Sequence, residues 1–365
     1  MDRWFKWDIV VASRIKELQS RFKDNNIDSF LVTSIKNIFY LTGFTGDSGI
    51  LFISPRKAEL ITDYRFQGEI VQRVKDADVC LTKKNYIEKL STQRLIKRRS
   101  RVGFESKYVT YNLYWKLRKK LDWLKFKGLD SFIEDLRIRK SEKEIENIKK
   151  ACEIGDKAFH EILNYIKVGV REIEIGAELE YRMRKAGGEK PSFDTIVASG
   201  YRSSIPHGVA SNKKLKNREF ITIDFGTIYN HYHSDMTRTV FLGSPSDKDK
   251  KLYETVYNAQ KLAREAVKED IELRKVDKIA RDYIKKSGFG DYFPHSLGHG
   301  VGLDIHESPS LSYKSNEIGK EGMVFTIEPG IYLPDYQGVR IEDTVALQNG
   351  NIVTLTNSKR ELIAL

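Results

Sequence analysis

"FITIDFGTIYNHYHSDMTRTVFL", residues 220–242, reads as two strand segments, "FITIDFGTIY" and "YHSDMTRTVFL", divided by a polar stretch. Side chains alternate across a strand, so Asp224 falls on the face of Phe220 and Thr222, opposite Ile221, Ile223 and Phe225. An acid is thus set into an apolar pattern. Asp235 interrupts the second strand in the same way.

Working outward, "MVFTIEPGIYL" (323–333) carries Glu328 and "VRIEDTVALQ" (339–348) carries Glu342, whose strand face also holds Arg340. Further strands are expected at "FDTIVAS" and "NIVTLT". Helical periodicity marks 142–166, 171–187, 247–269 and 275–287. Blocks of helices beside hairpin-like strands point to an α+β fold rather than a doubly wound parallel sheet.

Upstream, "SRIKELQSRFKDNNI" has a helical apolar face, and "DSFLVTS", "NIFYLTGF", "GILFIS" and "AELITD" read as short strands. "RVGFES", an amphipathic "TYNLYWKLRKKL" and a strand-like "KFKGLDSFIEDLR" complete a separate αβ unit. Ser141 and Glu144 form a capping-box pattern. The domain boundary is therefore placed at residue 140, giving domains 1–140 and 141–365. Charge changes there too: 30 Lys/Arg face 17 Asp/Glu up to residue 140, and 33 face 34 beyond it, within a net charge of +12. Runs such as "KRRSR" (97–101) are read as a solvated basic face, with weak, salt-sensitive polyanion binding at most and no nucleic-acid site.

With 365 residues, 40% of them hydrophobic, the chain can build two cores. Cys80 and Cys152 have no zinc-like spacing and suit a reducing, cytoplasmic compartment. Neither a signal peptide nor an 18-residue apolar span is expected, so no membrane role follows. Residues 1–12, with Trp4 and Trp7, receive no assignment beyond an extension.

Three of seven histidines crowd into "HSLGHGVGLDIHESP", residues 295–309. His295 and His299 have the spacing of a metal-binding helix, but Gly298, Gly300 and Gly302 each disfavour helix by about 1 kcal/mol, and the glutamate of HExxH is missing. A strand or loop is expected. If Asp224, Asp235, Glu328 and Glu342 converge with His299, four like charges would repel unless cations intervened, and two divalent ions would balance them. Oxygen-rich ligation with one imidazole and no thiolate suits Mn2+, Co2+, Fe2+ or Zn2+ and argues against a closed cysteine-rich zinc site.

In their order, "TIDFG", "SDMTRT", "GHGVG", "TIEPG" and "VRIED" resemble the metallopeptidases of the pita-bread fold, the group of aminopeptidase P, prolidase and methionine aminopeptidase. "PSFDTIVASGYRSSIPHG", "HESP" and the added N-terminal domain resemble the Xaa-Pro-cleaving branch. The resemblance implies a creatinase-like N-terminal domain and a catalytic pita-bread domain. It implies two divalent metal ions held by Asp224, Asp235, His299, Glu328 and Glu342, with Glu328 also accepting a proton from the attacking water. His207, His295 and His306 would line the substrate side, and Arg340 would orient the polar layer. The implied activity is Xaa-Pro aminopeptidase on peptides with proline second, with an Xaa-Pro dipeptidase as the alternative and a non-catalytic binding protein as the remote third. A homodimer is also implied. No role is expected for His160, His231 or His233.

Overall fold

The computed structural model describes residues 14–74, 76–92 and 98–365, so the expectations for residues 1–12, including Trp4 and Trp7, and for Lys97 lie outside the described residues. Two compact units are present, Met1–Leu136 and Arg137–Leu365.

In the first unit, helix α1 (residues 14–20) precedes β1 (Ser29–Val32), α2 (Ile35–Thr42), β2 (Ile50–Ile53) and β3 (Ala58–Thr62). Then come α3 (Gln67–Arg73), β4 (Asp78–Leu81), α4 (Tyr86–Ser91), β5 (Arg101–Glu105), α5 (Tyr111–Lys120) and β6 (Lys125–Leu129). The sheet runs β4-β3-β2-β1-β5-β6, antiparallel through β3-β2-β1 and parallel in its outer pairs. Leu31, Phe52, Ile61, Val102 and Phe104 pack with Leu117, Leu121 and Leu124, so α5 covers this core.

The strand expected at "NIFYLTGF" is instead helix α2. Its buried apolar run suits either state, and the ends decide. Ser34 caps the first turn by accepting from the Asn37 amide. Gly43 closes the last turn at φ 74°, donating to the Phe39 carbonyl at 2.7 Å. The segment "KFKGLDSFIEDLR" is likewise strand only through Leu129, and a single turn, α6 (Glu134–Arg137), follows.

The second unit repeats one plan, a helix pair laid on antiparallel strands. Helices α7 (Glu142–Ile162) and α8 (Glu172–Lys185) cover the sheet β11-β8-β7, made of β7 (Ile196–Ser199), β8 (Glu219–Phe225) and β11 (Met236–Leu242). The Glu144 carboxylate accepts from the Ser141 amide and hydroxyl at 2.9 and 2.8 Å, fixing the start of α7. Short strands β9 (Ile228–Tyr229) and β10 (Tyr232–His233) lie between β8 and β11. The second pair, α9 (Asp247–Ala266) and α10 (Leu273–Lys286), shares a core with strands of the sheet β13-β12-β14-β17-β18. Its members are β12 (Gly298–Gly300), β13 (Glu307–Leu311), β14 (Val324–Ile327), β17 (Asp343–Gln348) and β18 (Asn351–Thr354). A ribbon of β15 (Gly330–Tyr332) and β16 (Gly338–Arg340) stands beside them in the chain.

Strand β8 joins the two cores. Ile221, Ile223 and Phe225 face the α7/α8 core, while Phe220 belongs to the α9/α10 core, as alternation requires. Its partner β11 divides in the same way, Met236, Val240 and Leu242 against Phe241. Two long strands expected from the pattern are broken. "MVFTIEPGIYL" stops at Ile327 and resumes at Gly330, and "VRIEDTVALQ" stops at Arg340 and resumes at Asp343. Glu328 and Glu342 occupy those breaks, so neither sits within a regular strand face.

Candidate active site

Five elements deliver the acids and the central histidine. Asp224 is near the end of β8, Asp235 precedes β11, His299 is the middle residue of β12, Glu328 follows β14 and Glu342 precedes β17. Ligand atoms of Asp235, His299 and Glu342 all lie within 4.8 Å of one another. His299 Nε2 is 3.5 Å from both Asp235 Oδ2 and Glu328 Oε1. Asp224 is tied in through Arg340, whose Nη2 donates to Asp224 Oδ2 at 2.6 Å.

Each group is aimed by neighbours. The His299 amide donates to Thr326 Oγ1, which donates to Glu328 Oε1 at 3.2 Å. His299 Nδ1 lies 3.1 Å from the Gly300 carbonyl, an acceptor only, so Nδ1 carries the ring proton and Nε2 keeps its lone pair. Burial, then the neighbouring His306, pushes the His299 pKa down to about 4, which leaves the ring neutral at pH 7. Gly298 has to be glycine: a Cβ there would stand 2.0 Å from the Thr326 carbonyl oxygen. Thr237 Oγ1 donates to Glu342 Oε2 at 2.7 Å and accepts from Arg340 Nε at 3.1 Å.

The carboxylates do not balance one another. Burial raises Asp235 and Glu342 well above the usual carboxylate range, and mutual repulsion adds to it. Glu328 is pushed up to about 8, first by burial. Asp224 Oδ1 and Asp235 Oδ1 are buried without a hydrogen-bond partner. Unpaired buried carboxylate oxygens are costly, and a cation would satisfy them. The donor set, carboxylates with one imidazole and no thiol, fits a hard or borderline divalent ion.

The polar layer expected around the acids is also present, with one change. His306 packs its ring edge-on against His299, centroids 4.2 Å apart, and is exposed on its other side. His207 is exposed in the segment after β7, and its neighbour Pro206 offers a carbonyl to Arg340 Nη1 at 3.1 Å. His207 is close enough for its charge to act on both His295 and His306. His295, however, points its ring at Tyr332. Its Nδ1 faces the Ser296 carbonyl at 2.8 Å, so its Nε2 accepts the Tyr332 hydroxyl at 2.9 Å. Tyr332 in turn accepts from Arg340 Nη1 at 2.8 Å. A directed chain of donors, Arg340 to Tyr332 to His295, thus braces Asp224 from behind. Sequence reading missed Tyr332, Thr237 and Thr326. Tyr332 carried the only signal, a hydroxyl-bearing ring within the apolar "GIYL".

Of the remaining histidines, His160 is exposed on α7, and His231 sits in a turn at φ 69°. His233 is buried, with its amide on the Gly302 carbonyl at 2.9 Å. Among the described residues, no metal-type cluster includes any of them.

The chain resembles known proteins along nearly its whole length. Residues 146–349 match the model of metallopeptidase family M24, and residues 14–139 match the creatinase/prolidase N-terminal domain. The chain is 42% identical over 354 residues to a Xaa-Pro dipeptidase of Pyrococcus furiosus, covering 97% of this chain and 100% of the relative. It superposes on a Xaa-Pro dipeptidase from Bacillus anthracis with a TM-score of 0.94 at 40% identity, covering 97% and 100% of the two chains. A structure titled X-Pro aminopeptidase from Thermotoga maritima gives a TM-score of 0.87 at 39% identity, covering 93% and 98%. Two helix-covered strand layers meeting at a carboxylate-rich seam, matched along nearly the whole chain, leave one assignment: the protein belongs to metallopeptidase family M24, with a creatinase-type N-terminal domain ahead of its pita-bread domain.

Proposed function

We propose that this chain is an exopeptidase that hydrolyses the bond between an N-terminal residue and proline, and that Asp224, Asp235, His299, Glu328 and Glu342 hold two divalent cations, Mn2+ first among them. The observation that carries the reading is the convergence of His299 Nε2 with Asp235, Glu342 and Glu328, with buried oxygens of Asp224 and Asp235 left unsatisfied. When bound, two such ions would acidify a water and polarise a carbonyl.

The chain's own residues supply the rest. Glu328 stands beside His299, placed to take a proton from the attacking water. Arg340 pins one oxygen of Asp224 and Thr237 one oxygen of Glu342, and the other oxygen of Asp224 is buried without a partner. His306 and His207, both exposed, are the groups available to a peptide, for binding the carbonyl oxygen and passing a proton to the departing proline nitrogen. His295 works one layer back, through Tyr332.

Two substrate lengths remain within this proposal. Relatives named Xaa-Pro dipeptidase support the dipeptidase reading for this chain, and the Thermotoga maritima structure titled X-Pro aminopeptidase supports the aminopeptidase reading. Hydrolysis of Xaa-Pro, Xaa-Pro-Xaa and Xaa-Ala-Xaa with Mn2+ or Co2+ decides between them. The dipeptide cleaved alone supports a dipeptidase, the Xaa-Pro-Xaa tripeptide alone an aminopeptidase, and cleavage of neither refutes the proposal. Cys80 and Cys152, which form no disulfide, support a reducing, cytoplasmic setting. No helix among the described residues is long and apolar enough to cross a membrane. A homodimer belongs to the same proposal and is tested by light scattering.

A further inference from the structure

Residues 301–306 form the loop that joins β12 to β13 and carry His306 at its end, while the ladder between those strands slips register at His299 and Gly300. Few ladder bonds hold it. Val301 donates to the Val324 carbonyl at 3.2 Å and Gly302 accepts from the His233 amide at 2.9 Å.

What fills the inside of this loop is a carboxylate. Glu307 is folded beneath it, close enough that a Cβ on Gly302 would stand 2.3 Å from Glu307 Oε1. Glu307 Oε2 also accepts from the Asp304 amide at 3.2 Å. Two cations meet this carboxylate from residues 137–140. Lys140 Nζ lies 2.9 Å from Glu307 Oε1, and Arg137 Nη2 donates to Glu307 Oε2 and, at 2.6 Å, to Asp304 Oδ2. The side chains of Arg137, Lys140 and Glu307 are 3%, 1% and 8% exposed. The donors are themselves anchored, since the Lys140 amide bonds the Gly322 carbonyl at 2.7 Å and Arg139 bridges Met323 at the start of β14.

Stability alone does not account for such a cluster. Buried ion pairs can often be replaced by apolar side chains of similar size without loss, because desolvation offsets much of their attraction. Ion pairs of this kind do fix geometry. The residue fixed is the one immediately before Glu307 in the chain. We infer that Glu307, gripped by Arg137 and Lys140, is a positioning residue that holds the His306 ring edge-on to His299, at the height where a peptide meets both. It does not touch substrate. This inference rests on the Xaa-Pro peptidase reading for its kinetic arm only.

Glu307→Gln keeps the shape and removes the charge. The double variant Glu307→Gln/Lys140→Met also removes one cation and restores charge balance, so it reports on positioning should the single variant not fold. We expect either to lower kcat on an Xaa-Pro dipeptide about 10- to 100-fold, the scale of a small misplacement of a reacting group. KM should stay within about twofold, and bound metal should be unchanged. In a His306→Ala background the same change should cost less than about twofold, because the group being positioned is gone. In metal-free protein the NMR resonances of the His306 ring should shift as it leaves the face of His299. Equal kcat losses with and without His306, or an unmoved His306 resonance in a folded variant, would overturn the inference. Wild-type protein inert on Xaa-Pro substrates would instead remove the activity reading, and the NMR arm would still decide the positioning.

Discussion

Tyr332→Phe removes one oxygen atom from a fully formed relay and leaves the ring in place. Tyr332 is buried, and its hydroxyl accepts from Arg340 Nη1 at 2.8 Å while donating to His295 Nε2 at 2.9 Å. Arg340 loses one brace but is not freed, because Nη1 keeps the Pro206 carbonyl, Nη2 keeps Asp224 and Nε keeps Thr237. His295 suffers more. Its Nδ1 proton stays on the Ser296 carbonyl, so Nε2 becomes a part-buried acceptor with nothing to accept. A buried group left unpaired costs about 1–3 kcal/mol, and the weakened Arg340 contact adds to it, so a loss of about 2 kcal/mol is expected. For a unit of this size that lowers Tm by about 4–8 °C, read by calorimetry on the intact chain. Activity should fall too, through a looser Arg340 and hence a looser Asp224, by about tenfold in kcat with KM little changed. His295→Ala should abolish most of the difference between Tyr and Phe at position 332. A Tyr332→Phe protein with unchanged Tm and kcat would refute the relay.

Three further outcomes are expected. His299→Ala should bind less metal, measured by elemental analysis, and lose turnover together with it; full activity at unchanged metal content would remove His299 from the ligand set. In metal-free protein the raised Glu328 makes the folded state hold more protons than the unfolded one between pH 4.5 and about 8. Its stabilising contribution is therefore complete below 4.5 and lost as pH rises through about 8. Denaturant titrations at pH 6 and pH 8 should show the metal-free protein weaker at the higher pH, and added Mn2+ should reverse the trend. Arg238→Met should destabilise by about 1–3 kcal/mol in the same assay, because the fully buried Asp343 loses the Arg238 Nη2 it meets at 2.8 Å while keeping Arg360, Gln260 and Thr356.

What sequence could show was the chemistry carried by period and order. The alternation in β8 placed Asp224 against Ile221, Ile223 and Phe225 correctly, and Ser141 with Glu144 marked the start of α7, because both are local matters of backbone geometry. The wrong reading of α2 shows the limit of composition: a short, wholly buried helix has no polar face to reveal its period, and only Ser34 and Gly43 give it away. The strand breaks at Glu328 and Glu342 were masked by the apolar residues around them, although Pro329, lacking an amide proton, was a fair warning at the first. Thr237, Thr326 and the Glu307 cluster could not be read at all, and the ring of Tyr332 hinted at a partner without naming it, since each depends on which distant strands become neighbours. Glu307 and Lys140 are 167 positions apart in the chain.

The division of the second unit into two cores gives the site a mechanical meaning. Asp224 and Asp235 ride on strands that lean mainly on the α7/α8 core, whereas His299, Glu328 and Glu342 ride on strands of the α9/α10 core. Between these oily blocks lies a seam of buried carboxylates, whose ionised forms repel one another. A cation seated there acts as a rivet. Its loss is then a structural event as well as a chemical one, and chelation should be felt first as breathing along the seam rather than as melting of either block.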